Sequence, residues 1–211
     1  IEIYAKYVFF AEGCRGHLGK SLIKKFSLNE HSQHQTYGIG IKELWEVSDE
    51  QSKPGEVIHT IGWPLDNKVY GGSFLYHLDK NLVSVGFVIG LDYKNPYLSP
   101  YEEFQKFKTH KDVRKTFKSG RRISYGARAL NEGGWQSLPK LALPGAALIG
   151  CEAGTLNTPK IKGTHTAMKS GMLAAVSAFE AIKDNRANDI LKTYDENFRS
   201  SWAGKELKKA R

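Results

Sequence analysis

Two glycine-rich stretches stand where a backbone could hold a negatively charged group. In "VFFAEGCRGHL" an apolar run ends at Ala11, Glu12 and Gly13, and the turn leads into a helical pattern. In "ALIGCEAGTLNTPKIKGTHTAMKSGMLAA" an apolar run ends at Gly150, a loop carrying Cys151, Glu152, Gly154 and Asn157 follows, and Gly163 and Thr164 open a second helix. The N–H groups of a first helical turn have no intrahelical acceptor and carry the positive end of the helix dipole, so each junction offers amides to an anion. Thr164 is also an ordinary N-cap, and a well-capped core helix accounts for it equally well. Taken together, the junctions describe one ligand approached by the ends of two strands of the same sheet.

A third stretch, "YGGSFLYH", puts Gly71 and Gly72 inside a strand pattern. Paired glycines weaken a sheet, and they mark either a bulge or the close approach of a ligand. Other candidates carry less. "GIGIKE" at 38–43 has two glycines of a dinucleotide fingerprint, but a strand follows it instead of a helix, so it reads as the start of a strand. The seven histidines show no metal-ligand spacing, and the two cysteines, Cys14 and Cys151, are too few for a Cys-rich zinc site or for an iron–sulfur cluster. They read as thiols in a reducing compartment with no metal between them.

The elements that must position these residues follow from periodicity. Residues 2–10 read as a buried strand, and the segment after Gly16 as a helix. Between Tyr37 and Tyr93 four alternating segments separated by Pro54-Gly55, Asp66-Asn67 and Asp79-Lys80-Asn81 predict an antiparallel sheet. A helix starts at Pro100 and runs to Gly120, "RISYGARAL" returns as a strand, and "GAALIGC" is a short apolar strand. Helices are expected over 163–182 and 187–209. With 31 Lys and Arg against 22 acidic residues the formal charge is +9, but the basic residues are scattered, which favours a solvated surface over nucleic-acid binding. No apolar run approaches the roughly 20 residues of a membrane-spanning helix. The chain opens inside a strand pattern without an initiator Met, so it is expected to be an internal piece of a longer protein.

These residues carry a resemblance. "AEGCRGHL" resembles the Ala-Asp/Glu-Gly turn of glutathione-reductase-type flavoproteins, and "GCEAGTLNTPKIKGTHTAMKSG", "YGGSFLYHL" and "ARALNEGGWQSLPKLALPG" resemble the electron-transfer flavoprotein:ubiquinone oxidoreductase family. The resemblance implies an α+β fold: a partial FAD-binding α/β domain over 1–35 and 136–211, with an inserted antiparallel-sheet ubiquinone-binding domain over 36–135. It implies electron passage from reduced electron-transfer flavoprotein through a 4Fe-4S cluster and FAD to ubiquinone, at the matrix side of the mitochondrial inner membrane or at the bacterial cytoplasmic membrane. The chain matches the central part of such an enzyme. The GxGxxG turn and the four cluster cysteines of the family are absent from it, so by itself it is expected to bind FAD weakly and to be inactive.

The resemblance places Glu12, Gly13, Asn131, Gly150, Cys151, Glu152, Gly154, Asn157, Gly163 and Thr164 near FAD, and Tyr70, Gly71, Gly72 and Phe74 near the quinone, whose carbonyl would meet Gly71 and Gly72 through main-chain atoms. Where general flavoproteins of this fold carry an Asp, Cys151 stands here and Glu152 follows, so which of the two faces FAD stays open. Gly163 would let the backbone approach the flat ring, and the helix end would stabilise negative charge on it. Two alternatives are a related FAD-dependent reductase of another lipophilic acceptor (geranylgeranyl-reductase-like, or a nitrogen-fixation electron-transfer flavoprotein) and a basic binding module with no redox role.

Overall fold

The computed structural model describes residues 1–210. The chain divides into two compact units, residues 1–36 with 130–211 and residues 37–129.

In the first unit, β1 (Val8–Phe10) pairs in parallel with β8 (Ala146–Leu148), which forms a hairpin with β7 (Ala142–Leu143). The β7–β8 turn is made at Pro144 and Gly145, whose φ of 71° suits glycine. The expected strand over 2–10 is corrected: only three residues pair, and Val8 and Phe9 stay 46% and 37% exposed. β1 is the edge strand of this sheet and pairs with β8 alone among the described residues.

Helix α1 (His17–Lys25) follows β1, and α4 (Thr164–Lys183) follows the loop after β8. Small residues line the buried side of α4 (Ser170, Ala174, Ser177, Ala178 and Ala181), which lets it lie close to its neighbours. The expected helix over 187–209 is two helices, α5 (Lys192–Ser200) and α6 (Trp202–Lys209). Ser201 between them is extended, and its hydroxyl accepts from Gly204 N to cap α6. Tyr194 and Phe198 of α5 and Leu207 of α6 complete a core with Leu141, Leu143, Ala147 and Leu148. The Tyr194 hydroxyl donates to Leu148 O at 2.9 Å, and burial pushes its pKa above the usual phenol range.

The second unit is a five-stranded sheet in the order β3-β4-β5-β2-β6, made of β2 (Tyr37–Glu46), β3 (Val57–Ile61), β4 (Gly71–His77), β5 (Leu82–Gly90) and β6 (Arg121–Asn131). β2 with β5, β3 with β4 and β4 with β5 pair antiparallel, as the alternation predicts. Leu75, Val83, Val85, Phe87 and Ile89 point to one face and meet Phe104 and Phe107 of α2 (Pro100–Thr109). Ser99 caps α2, and Pro100 takes its first turn. The expected single helix to 117 is broken at His110, which turns to extended backbone (ψ 137°) before the short α3 (Arg114–Phe117).

Candidate functional site

The first unit brings most of the sequence-selected residues to one end of its sheet. Phe10 and Ile149 are linked by an N–H···O bond of 3.0 Å, so the chain leaves β1 and β8 side by side. Gly150, the second residue past β8, has a φ of 60° and donates its N–H to Ser170 Oγ of α4 at 2.8 Å. The Cβ of Ala167 lies 3.3 Å from where a side chain on Gly150 would begin. The first turns of α4 are thereby fastened to the strand end. Cys151 is half-buried and is a thiol, as is Cys14.

Asn131, the last residue of β6, belongs to the first unit. It is 3% exposed, and its amide donates to Cys14 O at 3.0 Å, while its side-chain oxygen is buried with no hydrogen-bond partner. Gly154 lies alongside, with Gln35 Nε2 2.7 Å from its notional Cβ, and Gln35 Oε1 accepts from Gly133 N at 2.7 Å. Gln35 and the fully buried Thr155, whose hydroxyl also finds no partner, are site neighbours that the sequence did not single out. Each sits among polar residues with no pattern that would mark it.

Two glutamates behave differently from expectation. The α1 amides were expected to be open to an anionic ligand, but the Glu12 carboxylate takes them, accepting from Leu18 N at 3.2 Å and Gly19 N at 3.0 Å. Glu152 is 6% exposed, and its carboxylate is turned onto Gly16 and Gly19 of the same helix start, beside the Glu12 side chain. Burial, and then the Glu12 charge, push the Glu152 carboxyl above the usual range, although backbone N–H groups at Glu12 and Gly16 offset part of this.

The loop before α4 is pinned from inside the protein. Asn157 is buried; its Nδ2 donates to Glu206 Oε1 at 2.8 Å and its Oδ1 accepts from Lys160 N at 3.2 Å, so both ends of its amide are engaged. The alternative of a Thr164 N-cap is not met, because the cap position falls on Gly163 and no side chain caps the helix. Thr166 bonds back instead, to Thr155 O and Gly163 O. Gly163 has a φ of −132°, and a Cβ there would meet only Leu156, at 3.5 Å, an ordinary contact. Neither the backbone conformation nor the protein's own packing requires a glycine at this position.

In the second unit, Gly71 and Gly72 continue the ladder without interruption, facing Ile89 and Val88 on one side and, for Gly72, Ile61 on the other. The alternative of a bulge is therefore set aside. Side chains there would overlap main chain, at Val88 O for Gly71 and at Thr60 O for Gly72. On the face away from α2, Gly72 shares its side of the sheet with Phe74 and Tyr76, whose rings stack at 4.8 Å, and with His59, 5.4 Å from Tyr76. Phe74 lies across Gly86 of the next strand, which leaves room for it by having no side chain. Tyr70, just before β4, is 53% exposed.

Residues 37–130 match the model of the ETF-QO ubiquinone-binding family. Mitochondrial electron transfer flavoprotein-ubiquinone oxidoreductases are 56% identical over 214 residues in Homo sapiens (98% of this chain, 35% of that protein) and 55% identical over 213 residues in Arabidopsis thaliana (100% and 33%). The chain thus spans about a third of the length of these relatives. Among solved structures, a geranylgeranyl bacteriochlorophyll reductase-like protein from Thermoplasma acidophilum shares the fold, with a TM-score of 0.74 at 18% identity over 96% of this chain and 48% of that one. The flavin-dependent brominase Bmp2 follows with a TM-score of 0.64 at 16% identity over 95% and 48%. With such identity along nearly its whole length, the chain belongs to the electron-transfer flavoprotein-ubiquinone oxidoreductase family.

Proposed function

We propose that this chain supplies FAD- and quinone-binding parts of an oxidoreductase that takes electrons from reduced electron-transfer flavoprotein and delivers them to ubiquinone. The observation that carries the flavin reading is Gly163, a glycine at a helix start that the fold itself does not require. A flat ring laid against the backbone there accounts for the missing side chain. The orphaned side-chain oxygen of Asn131, among residues gathered at the same strand ends, is a second sign of an absent partner.

When bound, FAD supplies reversible electron uptake, and the protein supplies position and field. The open amides at the start of α4, including Thr164, are the groups that would face the electron-rich edge of the ring, and the helix dipole adds roughly half a positive charge there. Gly150 and Gly154, both at positive φ, shape the strand-end loop, and with Gly13, Cys151 and Asn131 they would line the cofactor. Glu12, Glu152 and Asn157 contribute through the scaffold, since their side chains are engaged within it.

In residues 37–129 the open sheet face with Gly72, Phe74 and Tyr76 is the candidate quinone surface, bordered by Tyr70 and with Gly71 and Gly72 offering main-chain atoms. The 4Fe-4S cluster belongs to the rest of such an enzyme: among the described residues no group of three or more His, Cys, Asp or Glu could hold a metal. The relatives are named mitochondrial, and attachment to the matrix side of the inner membrane is part of this proposal; among the described residues no helix is long and apolar enough to cross a membrane.

The test is Gly163→Ala in the full-length, FAD-loaded protein. A methyl group that the protein accommodates but the ring does not should weaken FAD binding at least tenfold, with the apoprotein melting temperature unchanged. Unchanged FAD affinity and an unchanged flavin potential would remove α4 from the site.

A further inference from the structure

Glu206 lies on α6, a helix that carries none of the residues the sequence marked, yet it collects the loop that leads into α4. Its Oε1 accepts from Asn157 Nδ2 at 2.8 Å and lies 2.7 Å from His165 Nε2, and its Oε2 accepts from Lys160 Nζ at 2.7 Å. An ionised carboxylate only accepts, so His165 carries its proton on Nε2 and donates it to Glu206. The same helix also presents Trp202, whose ring stacks on that of His165 with centroids 5.8 Å apart and planes 13° from parallel.

These three partners lie on both sides of Gly163 and Thr164: Asn157 and Lys160 before them, His165 immediately after. Within the segment, Thr158 Oγ1 donates to Glu132 O at 3.3 Å and Ile161 N to Thr158 O at 2.9 Å. Asn157 and Lys162 exchange backbone hydrogen bonds, and Ile161 is in the left-handed region at φ 55°, an unfavourable conformation for a β-branched residue. A single carboxylate with three donors fixes where α4 begins, and so where its open amides point. Charge-assisted bonds of this length are about twice as strong as neutral ones, and three converging on one group hold it more firmly than any pair.

We infer that Glu206 is a positioning residue for the flavin-facing start of α4, holding Gly163 and Thr164 in register through Asn157, Lys160 and His165. The inference rests on the reading of that helix start as a flavin contact. Precise placement matters because an N–H···O contact weakens steeply with small displacements in distance or angle.

The experiment compares Glu206→Gln with Gly163→Ala in the full-length, FAD-loaded protein, reading the midpoint potential of the bound flavin, its stoichiometry, and amide hydrogen exchange along 155–166. Gln keeps the size of Glu but turns one acceptor into a donor facing Lys160. The expected result is near-stoichiometric flavin, a lowered flavin potential in both variants, and at least tenfold faster exchange in 158–164 for Glu206→Gln, with the second half of α4 unaffected. A merely structural role would lower the melting temperature without moving the potential of the flavin that stays bound. If Gly163→Ala shifts the potential and Glu206→Gln does not, the positioning role is overturned while the flavin site stands. If neither shifts it, the flavin reading itself falls, whatever the loop does. Should Glu206→Gln fail to fold, His165→Gln and Lys160→Met each remove one donor, and each should shift the potential in the same direction by less; no shift in either would overturn the inference.

Discussion

Gly19 and Glu152 compete for one volume: a Cβ on Gly19 would overlap the Glu152 carboxyl group, and a Cβ on Gly16, one turn earlier, would overlap it too. The two glycines of α1 thus form the slot for a buried carboxyl from the loop after β8. Gly19→Ala should destabilise the protein by ~1–3 kcal/mol, the usual penalty for overfilling a packed site. Chemical denaturation near pH 5 measures this, and a neutral result would mean that Glu152 can turn away freely.

The charge on Glu152 gives a separate prediction. Its folded-state pKa is raised, first by burial and then by Glu12, so its favourable contribution is complete below the ordinary value of 4.5 and is lost as pH rises through the raised value. Glu152→Gln should therefore melt higher than the parent protein at pH 8 and lose that advantage at pH 4. An advantage of equal size at both pH values would contradict the raised pKa.

Glu43 illustrates the opposite sign. Burial alone would push its carboxyl up, but donors from Lys108 at 2.7 Å, Trp45 Nε1 at 2.7 Å and Arg122 at 3.2 Å outweigh that and hold it below the usual range. Its contribution is present above about pH 4.5 and declines as pH falls below it. Lys108→Met leaves the carboxylate without its closest cation and should cost about 3–5 kcal/mol at pH 7. Adding Glu43→Gln to that variant should restore a good part of the loss, and a double variant no more stable than the single one would show that the pair is not coupled.

Glu206 titrates well below the usual carboxylate range. Hydrogen bonds from His165 and then Lys160 lower its pKa to about 2 from 4.5, so the loop clamp is complete above pH 4.5 and is lost as pH falls towards 2. Hydrogen exchange of residues 158–164, corrected for the intrinsic pH dependence, should lose protection only in that window. Loss of protection already at pH 6 would contradict control by the Glu206 carboxylate.

On the quinone face, Gly72 is a poor target, because any side chain there strikes the Thr60 carbonyl and disturbs the sheet itself. Phe74 is better, being half-buried on the open face. In the full-length enzyme Phe74→Ala should slow electron delivery to ubiquinone at least tenfold per bound flavin while leaving reduction by electron-transfer flavoprotein within about twofold. Equal losses in both half-reactions would take this face out of quinone binding.

Periodicity and turn chemistry carried most of the fold. The alternation in β4 and β5 and the apolar run at Ala146–Leu148 are visible because those strands bury side chains. What stayed hidden was decided by distant contacts. The break at Ser201 reflects the packing of α5 and α6, not a Pro or Gly, and only three residues of the expected strand over 2–10 find a pairing partner. At the site, glycines and strand ends were readable from local pattern. Glu206 and Gln35 were not, since a Glu on a polar helix and a Gln in a polar loop look like surface residues until the chain is folded.

The central claim is that the start of α4 receives the flavin. The most direct measurement is an experimental structure of the full-length, FAD-loaded protein that resolves the isoalloxazine ring. The account predicts the ring edge within hydrogen-bond reach of the backbone N–H groups beginning at Thr164, with Gly163 in van der Waals contact and the Asn131 side-chain oxygen newly paired. A ring bound elsewhere, with Gly163 facing solvent and Asn131 Oδ1 still without a partner, would contradict it.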